Sequence, residues 1–147
     1  MYHYTESGLN NVWLANGFTV HDTPYGKAVS VKHADALNRM IARHLVGRKP
    51  RLSGSEFRFI RKQLDLSQAS LARIMGKDVQ SIARWEKSGR VPKMAERFLR
   101  AIHREMAGGN ESIIEMVERL NRQDQAEDET DKLMFNARGG RWMLHAA

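Results

Sequence analysis

Between Leu66 and Glu86 the chain is interrupted too often for one long helix, yet its apolar spacing is too regular for a loop. Ser67 is a strong N-cap residue, Gly76 breaks the helix it opens, and Asp78 caps another that runs through Ile82 and Trp85. Leu71, Ala72 and Met75 fall on the inward side of the first short helix. Ile82 and Trp85, three apart, anchor the second, and Ala72 is small enough to let it cross closely. The pattern predicts two short helices joined by a tight, glycine-containing turn.

Further helices flank this pair. Upstream, Ser53 and Glu56 have capping-box spacing, with Ser55 an equally eligible cap. Phe57, Ile60 and Leu64 line one face there, while Arg58, Arg61 and Lys62 are expected elsewhere on the surface. Downstream, residues 88–92 read as a turn, and 93–106 as a helix with Phe98, Leu99 and Ile102 inward.

The N-terminal stretch has a different texture. Residues 11–15 and 18–21 are β-prone runs around Asn16-Gly17, a pair that tolerates the positive φ of a tight hairpin turn. Residues 23–26 supply a second turn, and 28–31 a third strand. Such a meander buries little and needs a lid. The expected lid is a helix over 33–46 with Leu37, Met40, Ile41 and Leu45 on one face, stopped by Gly47. The basic linker at 48–51 marks a boundary, dividing the chain into 1–50, 51–107 and 108–147. In the last part, Asn110 can cap a helix with an Ile113, Ile114, Val117 and Leu120 stripe. An acid-rich linker at 124–131 follows it, then an apolar tail around Phe135 and Trp142 whose Gly139-Gly140 interrupts any helix.

Charge follows the same divisions. Lys and Arg outnumber Asp and Glu six to three in 1–50 and thirteen to six in 51–107, and are outnumbered five to eight in 108–147. The net +7 therefore resides in the middle third, as expected of a polyanion-binding domain with an acidic appendage. The bland alternative is a solvated helical surface. No apolar run approaches the roughly 18–20 residues of a membrane span. Residues 1–6 lack the basic start and apolar stretch of a secretory signal, and there is no cysteine, so the cytoplasm is the expected compartment. Nothing resembles a nucleophile elbow, a phosphate-binding loop or a zinc-protease motif, so an enzyme is not expected. The six histidines, His3, His21, His33, His44, His103 and His145, show no ligand spacing, and neither metal nor cofactor is expected.

Leu66, Ser67, Gln68, Leu71, Ala72, Gly76, Ile82, Trp85 and Glu86 together match the pattern of the Cro/cI-type (XRE) helix-turn-helix family, which this region resembles. The resemblance covers roughly 56–104 and implies a lambda-repressor-like fold whose second short helix enters the major groove of double-stranded DNA. It places Val79, Gln80, Ser81 and Arg84 on the groove-facing side. Gln pairs with adenine, Arg with guanine, and Val meets a thymine methyl. Gln68 is implied to donate to a phosphate and brace the recognition helix. Ser81 and Lys77 are implied to touch phosphates, and Lys93 the backbone or minor groove. Lys77 departs from the family, which usually has an apolar residue after the glycine. Structural alternatives stand beside these roles: Gln68 as part of its helix cap, Val79 as core, Arg84 paired with a carboxylate. Glu86 and Trp85 are expected to be structural.

The β-rich unit ahead of such a domain loosely resembles MqsA-type antitoxins, whose zinc-holding CxxC pairs are absent here. The expected fold is mainly α, α+β overall: a β-β-β-α unit, the helix-turn-helix domain and a C-terminal helix. The expected function is a dimeric, sequence-specific transcriptional repressor on a palindromic operator. The alternative is an antitoxin that sequesters a toxin protein and autoregulates its operon.

Overall fold

The computed structural model describes residues 1–109, 112, 113, 115 and 133–145. Strand β1 (Tyr2–His3) leads through a single 3-10 turn (Thr5–Ser7) to β2 (Trp13–Leu14), and the two pair antiparallel as Tyr2↔Leu14 and His3↔Trp13. Strands β3 (Phe18–Thr23) and β4 (Gly26–Val31) form a separate ribbon, in register from Phe18↔Val31 to Thr23↔Gly26. The expected three-strand meander is thus corrected. Gly17 does adopt positive φ, 80°, but the runs it joins do not pair with each other. The reason is tertiary: Leu9 belongs to the helical core and the Tyr4 hydroxyl donates to Asn38 at 3.1 Å, which holds the β1–β2 pair on the helices, while β3 and β4 stay largely exposed. The second turn, expected at 23–26, does join paired strands, at Pro24-Tyr25, where the Thr23 hydroxyl donates to the Gly26 carbonyl at 2.5 Å.

Helix α1 (Ala34–Arg48) buries Ala42, Leu45 and Val46 and packs mainly on the following helices, meeting the β1–β2 unit through the Tyr4–Asn38 hydrogen bond. Met40, expected inward, is 66% exposed, because it sits two residues from Ala42 and so on the far side of the helix. The helix also continues through Gly47, the expected stop.

Four helices complete the bundle: α2 (Gly54–Gln63), α3 (Gln68–Met75), α4 (Val79–Ser88) and α5 (Lys93–Ala107). Their starts obey local chemistry. Ser53 and Glu56 form a full capping box, Ser67 accepts from the Ser70 N–H, and Asp78 accepts from the Ser81 N–H. Phe57, Ile60, Leu71, Ile82 and Leu99 are fully buried, and Leu9, Ala42, Leu45 and Val46 belong to the same cluster. The core therefore runs across the expected boundary at residue 50. Arg100 of α5 seals that junction: its guanidinium donates to the carbonyls of Leu45 (3.2 Å), Val46 (2.7 Å) and Lys49 (2.5 Å) and to Glu96 (2.7 Å). A cation thereby caps the carbonyl end of α1, where the Leu45 oxygen is shared with the Lys49 N–H at 3.3 Å.

Of the expected C-terminal stripe only Ile113 is described, half-buried and helical; Ile114, Val117, Leu120 and the acidic stretch 124–131 lie outside the described residues. Strands β5 (Phe135–Arg138) and β6 (Arg141–Leu144) form a hairpin closed by Gly139-Gly140, both at positive φ. No helix among the described residues is long and apolar enough to cross a membrane.

Candidate nucleic-acid interface

Helix α4 presents its chemistry through a simple division of faces. Ile82 is fully buried and Trp85 packs edge-on to Phe57, ring centroids 6.3 Å apart. Positions 80, 83, 84 and 87 are consequently turned away from the core, while Val79, three before Ile82 and seven before Glu86, stands at the edge of the buried side. Val79 is 44% exposed, Gln80 and Arg84 are exposed, and Ser81 is half-buried. Arg84 Nη2 donates to Ser81 Oγ at 3.4 Å and has no ion-pair partner among the described residues. Lys77 is exposed in the turn ahead of α4. The Asp78 carboxyl, capping the helix at 2.7 Å from the Ser81 N–H, lies below the usual carboxylate range. The Ser81 backbone hydrogen bond is the main cause, then its side chain, then the positive charges of Arg84 and Lys77.

Beneath that face is a buried ionic lock that the sequence does not display. Arg61, expected on the surface, is buried. Its Nε and Nη2 donate to the two Glu86 oxygens at 2.7 and 3.0 Å, and its Nη1 to the Leu66 carbonyl at 2.8 Å. Gln68 Nε2 donates to Glu86 Oε1 at 3.1 Å. Helices α2, α3 and α4 are therefore tied through one carboxylate. The available signal was periodicity: Arg61 is four residues after Phe57 and shares the stripe of Phe57, Ile60 and Leu64. A long cation on an apolar stripe calls for a buried acid.

Lys93 opens α5 and is exposed at its first turn, after the Pro92 N-cap. It lines a groove with Arg51, Arg97, Arg100 and Arg104. Arg51 and Arg100 are committed to the buried carboxylate of Glu96, at 3.3 and 2.7 Å, a second pairing the sequence does not reveal. Among the described residues, only Arg51, Arg61 and Arg100 of the thirteen Lys and Arg in 51–107 enter ion pairs. Most of the positive charge of this region is left for solvent or for an anionic partner. No three His, Cys, Asp or Glu side chains among the described residues form a group that could hold a metal ion.

Residues 57–96, from α2 to the first turn of α5, match the family model described as helix-turn-helix. No curated protein and no solved structure matches the chain.

Proposed function

We propose that residues 57–96, which match the helix-turn-helix family model, act as a Cro/cI-type DNA-binding segment, and that the protein is a dimeric repressor reading a specific sequence in double-stranded DNA. One observation carries this: the outward side of α4 offers Val79, Gln80 and Arg84, unburdened by carboxylate partners, on a helix fixed from below by Arg61, Glu86 and Gln68. Gln80 has the donor and acceptor for adenine, and Arg84 the fork for guanine. Lys77, Ser81 and Lys93 flank them as contacts to the backbone. Gln68 keeps one amide hydrogen for a phosphate while the other holds Glu86. The function is binding, with no catalytic step. One such segment makes few base contacts, so two copies on an inverted repeat, about 34–36 Å between half-site centres, supply the affinity.

Selection of bound duplexes from a random pool tests this. An enriched inverted repeat, with a dimer in sedimentation, is the expected result; a pool that stays random refutes it. Truncation after Met106 assigns the dimer surface, because a truncated chain that stays dimeric excludes the residues beyond it.

The C-terminal hairpin favours the second reading, an antitoxin. Phe135, Trp142 and Leu144 are all exposed and share one face of an isolated ribbon. Co-purification with the product of the adjacent reading frame, lost on deleting 133–147, would select that reading.

A further inference from the structure

A cleft of about 380 Å³ separates the Thr5–Ser7 turn from the helical bundle. Its bundle side carries three cations from two helices: Arg58 and Lys62, one turn apart on α2, and Lys87 at the end of α4. None has an ion-pair partner among the described residues. Three like charges lining one cleft outweigh the Glu6 carboxylate on its facing wall and leave a positive potential that an anion in the cleft would relieve. Glu86 also reaches the cleft, but Arg61 already neutralises it. Gln68 lines the same space with its second amide hydrogen unpartnered among the described residues.

Position identifies the anion. Ala83 and Lys87 line the cleft and continue, at helical spacing, the outward face of Gln80 and Arg84. Whatever lies in the cleft is therefore beside the groove α4 reads, where a duplex places the sugar-phosphate strand. The opposite wall carries Glu6, whose carboxylate accepts from the Tyr2 hydroxyl.

We propose that this cleft is a phosphodiester-binding site, in which Arg58, Lys62 and Lys87 hold the DNA strand bordering the groove occupied by α4, while the Glu6 carboxylate on the facing wall weakens that hold. It rests on the DNA-binding reading and adds to it a backbone contact that depends on the N-terminal segment.

The test is the salt dependence of binding of the full chain to a random-sequence duplex, followed by fluorescence anisotropy, which requires no knowledge of the operator. Losing two phosphate contacts in Arg58→Ala/Lys62→Ala should flatten the slope of log K against log salt by about 1.8, so that wild type loses ~12-fold more affinity between 50 and 200 mM. Arg39→Ala/Arg48→Ala removes the same charge from α1 and should keep the wild-type slope. Arg58→Lys/Lys62→Arg, which conserves both charges, should also keep it. Glu6→Gln should bind about twofold tighter at 50 mM. A slope unchanged in the α2 pair, or equally flattened in the α1 pair, overturns the site. Unchanged or weaker binding by Glu6→Gln overturns the role of that wall. A wild-type chain that binds no duplex at 50 mM removes the DNA-binding reading itself, and this inference with it.

Discussion

Arg61 and Glu86 meet in a bidentate ion pair, 2.7 and 3.0 Å, with both side chains buried. Two further bonds, from Gln68 to the carboxylate and from Arg61 to the Leu66 carbonyl, leave the pair well satisfied. Removing one member strands the other charge in the interior. Arg61→Ala or Glu86→Ala should therefore destabilise the fold by about 3–5 kcal/mol in urea unfolding. An apolar replacement of both, Arg61→Met/Glu86→Leu, should lose much less than the two single losses combined. If the double variant is as unstable as their sum, the pair is not a coupled unit.

Gly54 and Gly47 should respond in opposite directions. A Cβ at Gly54 would lie 2.2 Å from the Glu86 carbonyl oxygen and 2.7 Å from that of Trp85. These are backbone atoms at the end of α4 and cannot swing aside. Gly54→Ala should cost about 1–3 kcal/mol and displace α4 from α2. Gly47 lies within α1 with open space around it, so Gly47→Ala should gain roughly 0.5–1 kcal/mol from helix propensity. Thermal melts of the two variants check both signs.

Most helix boundaries were readable because caps act over three or four residues: Ser53, Ser67, Asp78 and the stop at Gly76 do what their side chains or backbone freedom dictate, while Gly47, also expected to stop a helix, stays inside α1. The burial of Arg61 was not, because its reason lies twenty-five residues away at Glu86. Strand pairing failed for a similar cause. Asn16-Gly17 is a sound turn, but the choice of partner belongs to Tyr4 and Leu9, which tie the β1–β2 unit to the helices through Asn38 and the core. In α1, counting large apolar side chains favoured Met40 over Ala42, the small residue that allows close approach. The outward residues of α4, Val79, Gln80, Ser81 and Arg84, came from the resemblance to the helix-turn-helix family, and of those four Ser81 is half-buried. The cleft of Arg58, Lys62 and Lys87 was not legible, since the sequence does not say where the Thr5–Ser7 turn comes to rest.

His103, half-buried on α5 beside Arg39 and Arg43, introduces a pH dependence. Burial, and then the charge of Arg43, hold its imidazole below the ordinary value of 6.5. The folded chain thus binds that proton less readily than the unfolded chain. Its neutral form leaves stability intact above pH 6.5, and stability declines as pH falls below that value, until the folded value is passed. Denaturation midpoints at about pH 7.5 and 5.5 should show a larger loss for the wild type than for His103→Gln. Equal losses would assign the acid sensitivity to other groups.

Arg84 supplies the sharpest separation between base reading and generic attraction to phosphate. It is exposed on α4, hydrogen-bonds among the described residues only to the Ser81 hydroxyl at 3.4 Å, and takes no part in the Arg61, Glu86 and Gln68 lock. Arg84→Ala should therefore leave the melting temperature within experimental scatter. Binding to the selected duplex should weaken by about 1–3 kcal/mol, with relaxed preference at a single base pair of each half-site. Lys77→Ala, a change to a charge expected on the backbone, should weaken all duplexes alike and reduce the salt slope by about 0.9 while preserving the selected sequence. Selection repeated with each variant distinguishes the two. A shifted motif for Lys77→Ala and an unaltered one for Arg84→Ala would exchange their roles, and unaltered affinity in both would remove the face of α4 from the interface.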